Sequence, residues 1–203
     1  MYKKFIKRLI DVTLSLFVII VFCWLYAIIA LLIKLTSKGP VLFKQERIGR
    51  GGKVFRIYKF RSMKVNAEHT GSGVYSGKGD PRVTKVGKFI RATSIDELPQ
   101  LFNVVKGDMA LIGPRPPLTY HPWPIDEYTQ EQLRMFEVRP GLTGWAQVNG
   151  RKGVEWHRRI ELNVWYIDNV SFGLDLKIFF MTIFKIFTNA DNANTSETVK
   201  KAE

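Results

Sequence analysis

Residues 12–33 form a run of 22 positions without a charged side chain, and no other feature restricts the folding of this chain as severely. As a helix the run would be about 33 Å long, enough to match the hydrocarbon thickness of a bilayer. It has no polar face, which argues against a buried helix of a soluble protein. A cleaved signal sequence has a shorter apolar core that ends at small residues. Here the run continues through Leu31, Leu32 and Ile33 and meets Lys34, Lys38 and Lys44.

The flanks bear on orientation. Lys3, Lys4, Lys7 and Arg8 precede the run; Lys34, Lys38, Lys44, Arg47, Arg50, Lys53 and Arg56 follow it. Basic residues near membrane ends stay on the cytoplasmic side. Two arrangements meet that rule. A segment that enters and turns back keeps both clusters in the cytoplasm, whereas a crossing helix leaves the larger downstream cluster to set the orientation. A turn within a helix usually has a proline as its cause, and none precedes Pro40. Trp24 and Tyr26 lie near the middle, where their N–H and O–H groups need partners, and so mark where protein contacts would hold a bend. Re-entry is the preferred reading.

Beyond residue 38 the chain reads as a catalytic-sized domain of mixed secondary structure, residues 39–188, followed by a polar tail, 189–203, with the composition of a disordered segment. Residues 41–43 and 54–58 are β-rich runs around the turn signal Gly49-Arg50-Gly51-Gly52, which predicts a small β-hairpin. Residues 67–80 read as a surface loop containing His69. The spacing in 83–92 sets Lys85, Lys88 and Arg91 against Val86, Phe89 and Ile90, a pattern suited to a helix lying on a membrane surface or to an ordinary amphipathic helix. Further helices are predicted over 95–105, 129–136, 154–170 and 174–187. Gly113-Pro114-Arg115-Pro116-Pro117 is a stiff extended segment. The fold class is therefore α+β, mostly helical, with an N-terminal re-entrant membrane helix-hairpin, a small β-hairpin and amphipathic interfacial helices.

Basic residues number 31 against 18 acidic, a net charge of +13. Such a field attracts polyanions: nucleic acid, anionic lipid or phosphorylated substrates. The aromatic–basic interleaving of an RNA-binding module is missing, so a membrane-anchored polyanion-binding scaffold is the weaker alternative to an enzyme. Cys23, the only cysteine, permits no internal disulfide. His121 and His157 lack metal-ligand spacing with any other His or Cys.

Asp96-Glu97 is the pair with chemical potential. Ser94 as N-cap and Glu97 three residues on fit a capping box, which accounts for the acids without catalysis. A carboxylate at a helix start can also attack phosphorus and form an acyl phosphate. Attack on a diphosphate requires the like charges to be screened by cations. Lys59, Arg61, Arg91, Arg115, Arg139 and Arg151 are the candidates, and Gly141 and Gly144 could allow backbone to approach a ligand.

Taken together, these residues resemble the bacterial sugar transferase family, the monotopic phosphoglycosyl transferases, in its minimal single-domain form. The resemblance rests on Lys59-Phe60-Arg61-Ser62-Met63, Asp80-Pro81-Arg82-Val83-Thr84 with Gly87, Asp96-Glu97-Leu98-Pro99-Gln100-Leu101, Gly107-Asp108-Met109 and Gly113-Pro114-Arg115-Pro116. It continues through Arg139-Pro140-Gly141-Leu142-Thr143-Gly144, Gln147-Val148-Asn149-Gly150-Arg151 and Leu174-Asp175-Leu176-Lys177. It implies an enzyme of the bacterial inner membrane whose catalytic domain faces the cytoplasm. That enzyme moves a sugar 1-phosphate from a UDP-sugar to polyprenyl phosphate through a phospho-sugar on Asp96, and releases UMP. It also implies Mg2+ at Asp96, Glu97 as the second catalytic acid, and phosphate binding by Arg115, with Lys59, Arg91, Arg151 and Asp175 as further polar site positions. Downstream glycosyltransferases are implied partners, nucleic acid is not, and the oligomeric state is open. The family commonly has Ser-Pro at the hairpin bend, where this chain has Cys23-Trp24. Asn163 stands where many relatives carry Asp, which supports a second alternative, a catalytically weak relative that acts as a membrane scaffold.

Overall fold

A computed structural model describes residues 1–71, 73, 76, 79–150 and 154–188. After a short turn of π-helix, Tyr2–Ile6, come helices α1, Lys7–Val21, and α2, Cys23–Thr36. The hairpin β1, Leu42–Ile48, and β2, Val54–Phe60, follows, then α3, Lys85–Ala92, and α4, Gln100–Lys106. The remaining elements are β3, Ala110–Ile112; α5, Gln130–Leu133; β4, Gly141–Thr143; α6, Trp145–Val148; α7, Trp156–Asn169; and α8, Phe172–Thr188. Among the described residues the architecture is mostly helical α+β with two small sheets, β1–β2 antiparallel and β3–β4 parallel.

The apolar run is not one helix. It breaks at Phe22 (φ −103°, ψ 16°), and the segments on either side are bent by 63°. No single described helix is long and apolar enough to cross a membrane; the bent pair passes that test only in combination. The break falls one residue before the Cys23-Trp24 pair and occurs without proline. Tyr26 finds the partner its hydroxyl needs by donating to the Leu98 carbonyl at 2.8 Å, and its ring packs on Phe60 and Phe102. One face of α2 is thus held by the domain, with Ile29 and Ile33 buried in a cluster with Phe60 and Ile90. The other faces of the pair expose Phe5, Leu9, Phe17, Ile20, Trp24, Leu31 and Leu35.

A buried polar cluster fastens α1 to the domain. The Asp175 carboxylate accepts hydrogen bonds from Tyr2 Oη at 2.5 Å, Lys7 Nζ at 2.8 Å and Tyr166 Oη at 2.7 Å. Asp11, also buried, accepts the Leu111 N–H of β3 at 3.1 Å. Arg8 donates to the Val104 and Val105 carbonyls at the end of α4, where a cation offsets the negative end of the helix dipole. Gly107, at φ 102°, then takes the left-handed C′ position that ends α4.

The main core lies between α6, α7, α8 and the 128–136 region, around Tyr128, Phe136, Ile160, Val164, Tyr166 and Ile178. Asn163 is buried there, 4% exposed. The predicted hairpin forms, and β1 continues through the polar residues Lys44 to Arg47, because all seven register pairs from Leu42↔Phe60 to Ile48↔Val54 close. The capping box expected at Ser94 does not form. Ser94 adopts a left-handed conformation (φ 57°) and its side chain caps nothing, so Ile95–Glu97 is a 3-10 turn before Pro99 and α4. A capping box does form at Thr129 and Gln132, which starts α5. The proposed tail, 189–203, and Arg151 lie outside the described residues.

Candidate active site

Three elements bring the dyad together. The 3-10 turn Ile95–Glu97 supplies the two acids, β2 supplies Lys59 and α3 supplies Arg91. The turn is reached through Ser94, a non-glycine residue with positive φ. Such a conformation costs on the order of 1–3 kcal/mol and persists only where surrounding structure holds it. Here the holding structure is substantial. α3 packs so closely on the chain after β2 that a Cβ at Gly87 would stand 1.8 Å from the Ser62 carbonyl oxygen. On the far side, fully buried Asn103 of α4 accepts from the Tyr58 N–H at 3.0 Å and donates to the Arg56 carbonyl at 2.8 Å, stitching α4 to β2.

Within this frame Lys59 Nζ donates to Glu97 Oε1 at 2.6 Å, a pair with little solvent exposure (18% and 27% of the side chains). Asp96 is half-buried. Burial pushes its carboxyl up to about 6, the negative charge of Glu97 adds to that, and Lys59 and Arg91 pull it back. The two acids therefore occupy different environments: Glu97 is engaged by a lysine, whereas Asp96 is a partly desolvated carboxyl group under the field of two cations. Unequal environments of this kind separate the roles of paired acids.

Other cations from the sequence reading sort differently. Arg115 is exposed on the extended segment between Pro114 and Pro116. It reaches the dyad's surroundings through Arg47 of β1, whose buried guanidinium feels both Arg115 and Glu97. Arg61 donates to the Ser37 and Lys38 carbonyls and closes the end of α2. Arg139 donates to the Gly107 carbonyl. Asp175 belongs to the α1 clamp with Tyr2, Lys7 and Tyr166, not to the group around Asp96. Gly141 and Gly144 serve backbone packing. A Cβ at Gly144 would stand 2.0 Å from the Gly113 carbonyl oxygen, and one at Gly141 2.1 Å from the Gly113 nitrogen. That contact is the β3–β4 crossing from which the Arg115 segment departs. His121 and His157 pack against Trp156 and Trp123.

By sequence position Arg47 belongs to the basic flank of the apolar run. The available signal was strand alternation: Gln45 and Arg47 lie two apart and therefore share a face of β1.

A divalent cation fits this donor set. Magnesium characteristically takes one or two protein carboxylates and completes its shell with phosphate and water, and Asp96-Glu97 offers such a pair. No group of three or more His, Cys, Asp or Glu able to hold a metal occurs among the described residues, so the described residues offer no all-protein metal cage.

The family model for bacterial sugar transferases matches residues 2–189. The chain belongs to the bacterial sugar transferase family. Among its relatives, an uncharacterized sugar transferase, EpsL of Bacillus subtilis, is 44% identical over 184 residues, covering 91% of this chain and 88% of its own. The UDP-glucose:undecaprenyl-phosphate glucose-1-phosphate transferase of Klebsiella pneumoniae is 45% identical over 188 residues, 90% of this chain. A UDP-N-acetylgalactosamine-undecaprenyl-phosphate N-acetylgalactosaminephosphotransferase of Aeromonas hydrophila is 47% identical over 190 residues, 91% of this chain. The sugar transferase chain spans 40% and 44% of the length of these last two proteins. Their names differ in the sugar and agree on the undecaprenyl phosphate acceptor.

Proposed function

We propose that this chain transfers a sugar 1-phosphate from a UDP-sugar to a polyprenyl phosphate such as undecaprenyl phosphate, as a membrane step of bacterial polysaccharide or other glycoconjugate assembly. The observation that carries the reading is the inequality of the dyad: half-buried Asp96 raised to about 6 beside a Glu97 held by Lys59 at 2.6 Å. In the first half-reaction an Asp96 carboxylate oxygen attacks the phosphorus that bears the sugar. The bond from that phosphorus to the bridging oxygen breaks, and UMP leaves with the electron pair. In the second, a phosphate oxygen of the polyprenyl acceptor attacks the same phosphorus. The bond to Asp96 breaks, which frees the carboxylate and yields polyprenyl diphospho-sugar.

Lys59 keeps Glu97 oriented and, with Arg91, lowers the repulsion between Asp96 and the incoming diphosphate. Arg115 meets the phosphates from the opposite segment. Bound Mg2+, held by Asp96 with Glu97 adjacent, would supply neutralisation of the diphosphate charge. The acceptor's lipid chain requires a site at the membrane boundary. The dyad turn meets that need, since Leu98 receives the Tyr26 hydrogen bond from α2. In this reading the bent α1–α2 pair is a re-entrant wedge in the cytoplasmic leaflet, with the exposed apolar residues of the pair and Phe89 of α3 in contact with lipid. The catalytic domain then faces the cytoplasm at the inner membrane.

The test uses the full chain in lipid nanodiscs with a panel of UDP-sugars, undecaprenyl phosphate and Mg2+, reading UMP release. A donor labelled in its sugar leaves label on the wild-type protein and none on Asp96→Asn. Label retained by a folded Asp96→Asn variant, or UMP release at the wild-type rate, overturns the assignment.

A further inference from the structure

Arg47 stands apart from the other cations of the domain. It lies on β1 opposite Phe55, on the same hairpin face as the Phe43↔Lys59 pair, since directly opposed residues of an antiparallel ladder share a face. Its Nη1 donates to the Pro116 carbonyl at 3.0 Å and its Nη2 to Gln45 Oε1 at 2.6 Å. Gln45 in turn donates to Glu68 Oε2 at 3.0 Å. The third guanidinium nitrogen, Nε, is buried and has no hydrogen-bond partner. Arg115, one residue from the carbonyl that Arg47 holds, brings a second guanidinium within electrostatic reach. The acids facing Arg47 are Glu97, already paired with Lys59, and Glu68, which meets it through Gln45. Desolvation and the neighbouring Arg115 push the Arg47 guanidinium down to about 9. A buried cation beside a second cation is an unfavourable arrangement that an anion between or above them relieves.

We propose that Arg47 is a positioning residue for the donor's diphosphate, fixing the Arg115 segment from beneath through the Pro116 carbonyl and contributing a buried positive charge that the nucleoside diphosphate balances. The inference rests on the transfer reading above and extends it. Lys59 and Arg91 address the dyad and the attacked phosphate, whereas Arg115, set in place by Arg47, meets the diphosphate from the Gly-Pro-Arg-Pro side. Arg47 acts through Arg115 and through its field rather than at the reacting phosphorus.

The experiment compares UDP with uridine as ligands of the full chain in nanodiscs by calorimetry. A residue that only supports the fold affects both ligands alike, whereas one that serves the diphosphate changes their ratio. Arg47→Gln is expected to weaken UDP binding at least about tenfold, the scale of losing one charged hydrogen-bonding interaction, and to leave uridine binding unchanged. Arg47→Lys keeps the charge and is expected to recover part of the UDP preference. An unchanged UDP-to-uridine ratio in Arg47→Gln, or equal loss for both ligands, overturns the proposal. A protein that shows the ratio change but releases no UMP from any UDP-sugar refutes the transfer reading alone; one that transfers normally with the ratio unchanged refutes this inference alone.

Discussion

Replacing Asp175 separates two accounts of that residue. Family resemblance places it among site polar groups, whereas the structure makes it the hub of the clamp that joins α1 to α7 and α8. The residue is 5% exposed, and its carboxylate accepts three hydrogen bonds, from Tyr2, Lys7 and Tyr166. Asp175→Ala removes all three and leaves a lysine side chain 14% exposed, with Asp11 only at 4.0 Å as a remaining counter-charge. Breaking a buried ion pair by deleting one partner costs about 3–5 kcal/mol. The residual Asp11 contact puts this case near the lower end, about 3 kcal/mol. For a chain of this size that corresponds to a fall in Tm of roughly 6–12 °C. Tyr166→Phe deletes one charged hydrogen bond and is expected to cost about 1.5–3 kcal/mol. Thermal unfolding in detergent, followed by tryptophan fluorescence, reads the loss. UMP release per folded molecule, measured well below the new Tm, reads the site. The clamp account expects lower stability with donor KM retained. Stability within about 0.5 kcal/mol of wild type, or a large rise in donor KM at full stability, refutes it and returns Asp175 to the site.

Further outcomes are expected. The UMP-releasing half-reaction needs Asp96 ionised, so its kcat/KM should fall about tenfold per pH unit below about 6. Lys59→Met removes a cation that holds the Asp96 carboxyl down and should shift that acid limb to higher pH; a limb that does not move refutes the coupling. The same raised value has a stability consequence: the folded state favours the protonated acid over the interval from the ordinary 3.8 to about 6, so the site's contribution is present below that interval and lost as pH rises through it. Gly144→Ala forces the Gly113 backbone away and should cost about 1–3 kcal/mol while raising donor KM, because Arg115 follows two residues after Gly113; wild-type unfolding and KM would contradict this. Tyr26→Phe deletes the bond from α2 to the Leu98 carbonyl and should cost about 1 kcal/mol in the same unfolding assay.

Several features are legible in the sequence. The uncharged run, the hairpin around Gly49-Arg50-Gly51-Gly52 and the Asp96-Glu97 pair depend on composition and near-neighbour chemistry, which a linear string displays directly. The bend in the apolar run was anticipated from charge on both flanks, and Tyr26 from its need for a partner. The expected Ser94 capping box was a local inference overridden by packing: α3 and α4 are held so close to β2 that the chain must reverse at Ser94 in a left-handed conformation, out of capping geometry.

The sequence alone determined that this chain pairs an apolar segment with a basic domain and carries a carboxylate pair, because hydrophobicity, charge and side-chain chemistry are properties of residues in isolation. Only the tertiary structure decided which charges meet. Lys59 joins Glu97 from 38 positions away, Asp175 is drawn to Lys7 across 168, and Arg47 reaches the Pro116 carbonyl of the Arg115 segment across 69. Coulomb energy and desolvation depend on distance and burial in space, and chain folding sets both through contacts that sequence separation does not record.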